Sequence, residues 1–136
     1  MSDYNSQYSG ARIEELLAMI PNLAKADLSN AMTVSLGANG YAKFNNGLLI
    51  QWGTRAGATN GAINLYFPQS FYNTDYNIYF TGAVNNTSES FIYAPGYDLN
   101  GKYTSYCRVL TRGINSTPAI VWTSWNFTWF AIGRWK

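Results

Sequence analysis

Two hydrophobic periods run along this chain and change over near residue 37. Ile13, Leu16, Ile20 and Leu23 follow one another at helical spacing, which places them on one stripe, as in the seam of a coiled coil. From Gly40 onward the period is close to two. Tyr41-Ala-Lys-Phe44, Asn45-Asn46-Gly47 and Leu48-Leu-Ile-Gln-Trp52 read as strand, turn and strand, with Asn46-Gly47 suited to a primed hairpin turn that needs positive φ. The pattern predicts an N-terminal helical stalk or attachment segment over 1–37 and a β knob over 38–136.

In the first part Ser9 is placed to cap a helix over Gly10 to Ile20, with Tyr8 and Ile13 able to form a hydrophobic staple. Pro21 lacks an amide hydrogen and collides with the carbonyl of Leu17 in a continuous helix, so a kink or restart is expected there. A helix this short does not stand alone in water. Its stripe either packs on the knob or forms a self-association seam, and the residues leave both open.

Further runs at Ala62 to Phe67, Tyr76 to Val84, Ser90 to Tyr93, Tyr103 to Thr111 and Ala119 to Trp135 bring the count to seven or eight short strands. The last is expected to break near Ser124, and Asn100-Gly101 marks a second tight turn. With no helical crossovers to support parallel pairing, the fold class is mainly β, an antiparallel sandwich-like knob behind a short N-terminal α-helix. Tyr76, Ile78 and Phe80 alternate with Asn77, Tyr79 and Thr81, as in a peripheral strand with one wet face. The C-terminal strand is different. Trp125, Phe127, Trp129 and Ala131 occupy one face while Phe130 and Ile132 load the other, so both sides seek burial, and Leu48, Ile50 and Trp52 opposite Leu49 repeat the pattern. Large apolar surface beyond what one core can cover marks an interface. Leu49, Phe130 and Ile132, together with the helical stripe, are therefore the predicted oligomer contacts; a central strand covered by loops is the alternative.

Composition narrows the function. Of 136 residues only 12% are charged, against roughly 25% in an average domain, while 17% are aromatic. The chain is polar through hydrogen bonding rather than charge, and a net charge of +2 is too small to imply a polyanionic partner. Arg12, Glu14 and Glu15 interrupt the first twenty residues, so no signal peptide is expected, and no segment approaches the ~20 apolar residues of a membrane span. Cys107, the one cysteine, reads as a half-buried strand thiol.

Three blocks carry a resemblance. Gly40-Tyr-Ala-Lys-Phe-Asn-Asn-Gly-Leu-Leu-Ile-Gln-Trp-Gly53, Tyr66-Phe-Pro-Gln-Ser-Phe71 and Trp129-Phe-Ala-Ile-Gly-Arg-Trp135 resemble, in order and spacing, the small C-terminal tip domain of bacteriophage tail fibres and short virion fibres. The upstream Ala26-Asp-Leu-Ser-Asn30 resembles short repeats that precede such tips. What the resemblance implies is a homotrimeric receptor-binding knob on the virion, made in the bacterial host cytoplasm and attaching to the host surface. The N-terminal segment would join other virion structural proteins. With some forty residues before the knob, a head fibre or decoration protein is as open as a tail fibre. The helical seam does not itself argue for three copies, since isoleucine at a-type and leucine at d-type positions favour dimers.

A glycan reader needs planar aromatics beside amides and hydroxyls on a rigid sheet. The segment from Tyr93 to Tyr103 concentrates these around a turn, so Tyr93, Tyr97, Asp98, Asn100 and Tyr103 are the predicted receptor-contact residues, ahead of the loop from Asn85 to Glu89. The Trp122, Trp125, Trp129 and Trp135 series looks like a carbohydrate platform, but most of these rings are expected in core or interface, Trp122 being the candidate for exposure. Catalysis is not expected: the knob holds only Asp75, Glu89 and Asp98 as acids, and without histidine the chain lacks Ser-His and Cys-His pairings. No cofactor or metal is expected on the same grounds. Scattered Lys and Arg exclude a nucleic-acid stripe. The competing reading is a purely structural trimerising cap or capsid decoration. Sequons at Asn85, Asn86, Asn115 and Asn126 are chance products of an Asn- and Thr-rich chain.

Overall fold

The computed structural model describes residues 7–84 and 92–136. The chain separates into two units, Met1–Met32 and Thr33–Lys136. Strand β1 covers Met32–Ser35.

In the first unit, helix α1 spans Gly10–Met19, and the Ser9 hydroxyl accepts the Arg12 amide at 3.2 Å, as the capping signal predicts. Pro21 has the expected effect: the helix tightens into a 3₁₀ turn over Ile20–Asn22 and then leaves it, with Leu23 extended. The Ala26-to-Asn30 motif closes on itself. The Asn30 amide oxygen accepts the Lys25 N–H while its nitrogen donates to the Leu23 carbonyl, and Leu28 takes a left-handed φ of +58° between them. Asp27 accepts the Ser29 amide, which holds its carboxyl below the usual range.

The second unit is antiparallel β throughout its described residues. Its strands after β1 are β2 (Gly40–Phe44), β3 (Leu48–Ala56), β4 (Ile63–Tyr66), β5 (Asn77–Ala83), β6 (Ile92–Lys102), β7 (Tyr106–Ile114), β8 (Ile120–Trp122) and β9 (Asn126–Arg134). One sheet runs β1-β2-β3-β9-β5; the other runs β4-β7-β6, with β8 on β7. The predicted break near Ser124 lets the chain cross from one sheet to the other, and β5 lies at an edge, as its one wet face implied.

The two sheets close on one core. Leu49, Ile78, Phe127, Trp129 and Ala131 come from the first, and Leu65, Cys107 and Val109 from the second. Phe67, Phe71 and Tyr76 join from the β4–β5 connection, with rings edge-on or stacked at 4.5–5.1 Å. Cys107 is fully buried rather than half-buried, and burial pushes its thiol up to about 11.

Both turn assignments change. At the first hairpin only Gly47 takes positive φ (+104°), and its N–H closes on the Phe44 carbonyl, so the link is a longer turn ending in a left-handed glycine rather than a primed two-residue turn. Asn100-Gly101 does not turn the chain at all. Both lie inside β6, within the register irregularity between Tyr97 and Lys102, and the chain reverses over residues 103–105, where the Tyr103 amide donates to the Tyr106 carbonyl.

Candidate functional site

The three blocks singled out in the sequence meet in the fold, and their polar side chains are spent on holding it. Gln51, fully buried, donates to the Gln69 carbonyl at 2.9 Å and accepts the Gln69 amide at 2.8 Å, clamping the second block onto the first. The Trp135 indole donates to the Phe44 carbonyl at 2.7 Å, and Tyr72 N–H to the Arg134 carbonyl at 2.8 Å, tying the third block to both. A buried amide with both hydrogen-bonding sides satisfied favours one register over others. These contacts make the blocks the scaffold, while Tyr66 of the second block stays exposed on its outer face.

Of the predicted receptor-contact residues, Tyr93, Tyr97, Asp98 and Asn100 are on strand β6 rather than a loop, and Tyr103 opens the reversal that follows it. Tyr93 is structural: its hydroxyl donates to the Trp125 carbonyl at 3.0 Å, its ring fits against Gly82, and burial pushes its phenol up to about 12. Tyr97 leans toward the core side, 6.4 Å from the Phe80 ring and 5.8 Å below the Lys102 ammonium, with its edge exposed. Asp98 caps the irregularity in β6 by accepting the Asn100 amide, and its other oxygen stands 3.6 Å from Arg108. Asn100 is exposed beside it. The loop from Asn85 to Glu89 lies outside the described residues.

Tyr103 is drawn into an arrangement that the sequence did not reveal. Its ring stacks on Tyr106 at 4.4 Å, and Tyr106 in turn lies 5.3 Å from Tyr66, across the Tyr66–Tyr106 pair of β4 and β7. The next pair on the same face is Asn64 with Arg108. Three tyrosines thus form a ladder on the outer face of the second sheet, continued by an amide and by the Arg108–Asp98 pair. Tyr66 is the most open rung, 61% exposed. Desolvation, followed by the contact with Tyr103, raises the Tyr106 phenol above its usual value. The only signal in the sequence was the alternation placing Tyr66 and Tyr106 on strands; their adjacency follows from long-range pairing. Further along this sheet Arg112 lies 4.6 Å over Trp122, which is half-buried.

The outer face of the first sheet has different chemistry. Register places Ile50 beside Ile132, and Trp52, Phe130 and Tyr79 in one row across β3, β9 and β5. The following row is Thr54, Thr128 and Thr81. The two apolar rows carry no charge, and Phe130 is 41% and Tyr79 60% exposed. Phe130 and Ile132 therefore stand on this outer face while Trp129 and Ala131 fill the core, the two-sided pattern read from the sequence. Leu49 requires correction. It shares the inward parity of Trp129 and Ala131 and is fully buried in the chain's own core, so on β3 it is Leu48, Ile50 and Trp52 that share the outer face. In the N-terminal unit Ile13, Leu16, Ile20 and Leu23 are all exposed, from 38% to 58%. Among the described residues no three acidic or cysteine side chains converge as a metal site, and no helix is long and apolar enough to cross a membrane.

The family model for the C-terminal domain of gp53-like tail fiber proteins matches residues 43–134. No curated protein matches the chain. Solved structures similar in fold include two R2-type pyocin fibres. An N-truncated R2-type pyocin tail fiber superposes with a TM-score of 0.58 at 17% identity, covering 98% of this chain and 54% of its own. The C-terminal part of the P. aeruginosa R2 pyocin fiber superposes at 0.57 with 18% identity, covering 98% and 38%. The chain thus spans about half or less of those fibres.

Proposed function

This chain belongs to the family of gp53-like tail fiber C-terminal domains, and on that premise we propose that it is a homotrimeric phage fibre protein whose knob binds glycan on the host bacterial surface. It acts by binding and not by catalysis. The observation that carries the reading is the tyrosine ladder Tyr66–Tyr106–Tyr103 flanked by Asn64, Arg108 and Asp98. Sugar rings present apolar faces that stack on aromatics and hydroxyls that pair with amides and charged groups, and this face offers both on a hydrogen-bonded sheet.

Trimerisation is supported by the uncharged rows of Ile50, Ile132, Trp52 and Phe130, of which one chain half-buries the first three and leaves Phe130 exposed. The exposed stripe of Ile13, Leu16, Ile20 and Leu23 adds a second apolar surface. Three knobs facing one cell make weak sites effective, because the second and third contacts are intramolecular. The N-terminal unit is then free to join other virion proteins.

Adsorption of the full chain to host cells tests the reading. Tyr103→Ala combined with Tyr106→Ala removes two rungs, and loss of two central contacts of about 1 kcal/mol each predicts roughly thirtyfold weaker adsorption. Adsorption that survives this pair unchanged in a folded protein would assign the domain to a structural cap or capsid decoration instead.

A further inference from the structure

A cleft of about 240 Å³ opens between the two sheets, lined among others by Asn39, Thr54, Arg55, Tyr66, Pro68 and Trp129. Trp129 is 4% exposed, and its indole nitrogen is the buried side-chain polar atom that finds no hydrogen-bond partner among the described residues. A buried N–H left unpaired costs on the order of 1–3 kcal/mol, so its place on a cleft wall calls for an acceptor. The Asn39 side-chain oxygen crowds the same point as this nitrogen, where a Cβ on Gly53 would otherwise sit, but it is engaged by the Thr54 amide at 3.0 Å. The indole nitrogen is itself sealed from solvent, so an incoming oxygen reaches it only where the Asn39 amide turns aside.

The charge in the cleft points the same way. Arg55 is exposed on its wall and makes no hydrogen bond or ion pair among the described residues, and no carboxylate lines the cleft. Tyr66 contributes to the wall and is also the open end of the tyrosine ladder. A donor N–H, an uncompensated guanidinium and an aromatic ring together fit a ligand that has an oxygen acceptor, a carboxylate and an apolar ring face. We propose that this cleft binds one acidic sugar residue, its carboxylate on Arg55 and a ring or hydroxyl oxygen on the Trp129 indole. The proposal rests on the glycan-binding reading and names the sugar class for it.

Methyl β-D-glucuronide and methyl β-D-glucoside differ in carrying a carboxylate or a hydroxymethyl group at C6, so titrating each into the full chain isolates the charge. The Trp129 indole ¹H–¹⁵N resonance, assigned with Trp129→Phe, is the readout. The expected result is a saturable displacement with the glucuronide, at least about tenfold weaker both for the glucoside and in Arg55→Gln, as loss of a charge-assisted pair requires. Three results each overturn the proposal: an indole signal indifferent to millimolar glucuronide, an equal response to the two sugars, or full glucuronide affinity in folded Arg55→Gln. If adsorption to cells still depends on Tyr103 and Tyr106 while the indole ignores glucuronide, the cleft assignment fails and the surface reading stands.

Discussion

Phe130 on the outer face of β9 and Tyr66 on the outer face of β4 are both exposed, at 41% and 61%, yet their neighbours differ in kind. Phe130 lies between Trp52 and Tyr79, with Ile50 and Ile132 in the row behind, and these rows carry no charge and a single amide, Asn77, at the β5 edge. Tyr66 stands in a tyrosine ladder next to Asn64, Arg108 and Asp98. Apolar rows are satisfied only by removal from water, roughly 25 cal/mol per Å² buried. A polar aromatic ladder can remain wet and still hold a sugar. The same two-layer scaffold thus presents one face suited to sister copies and another suited to a hydrated ligand.

The sharpest way to break this comparison is to charge the apolar face. Phe130→Asp should weaken self-association by about thirtyfold or more, the effect of losing a central hot spot of ~2 kcal/mol. Tyr106→Ala on the other sheet should leave the molar mass by light scattering unchanged. A wild-type chain that is monomeric at micromolar concentration, or an assembly indifferent to Phe130→Asp, removes the distinction between the faces.

A smaller effect is expected from the layer that both faces share. Gln51→Ala strands the Gln69 amide and carbonyl inside the fold, at a cost of about 1–3 kcal/mol read from the urea midpoint. If the scaffold is common to both faces, this variant should lower assembly and adsorption only in proportion to unfolding.

The smallest effect concerns alkaline pH, and it should act through the second sheet. Cys107 and Tyr93 are held up to about 11 and about 12 by burial, so the folded state keeps protons that the unfolded chain releases from about pH 9 and 10 upward. Their contribution to stability is complete below pH 9 and is lost as pH rises through 11 to 12. Urea midpoints should therefore be level from pH 7 to 9 and fall above, and Cys107→Ala should delay the onset of the fall. A midpoint that declines already between pH 7 and 8 would assign the loss to other groups.

Much of this was legible along the chain. Ser9 and Pro21 announced the start and the break of α1, the alternation over Tyr76–Thr81 marked an edge strand, and the doubly apolar C-terminal strand was read with its faces correct. Each is set by side-chain period or by a local steric rule, which act over a few residues. Two readings failed at a longer range, and one arrangement went unread. Asn100-Gly101 looks like a turn in isolation, but both residues fall in an irregular stretch of β6 between positions paired to β7, and the reversal comes only after Lys102. Leu49 could have faced either way, because parity within a strand says which residues share a face and not which face is inside. Tyr66, Tyr103 and Tyr106 carry no common motif, since forty residues separate Tyr66 from Tyr106.

What the sequence determined by itself was the class of each element and the pairs of faces each would present, because periods of 3.6 and 2 are properties of the backbone. What only the tertiary structure decided was which strands became neighbours. That choice is made by the burial of Phe127, Trp129 and Leu49 against Val109 and Cys107, contacts whose partners are distant in the chain. Neighbouring strands then turn scattered tyrosines into a ladder, and scattered Trp52, Phe130 and Tyr79 into an apolar row.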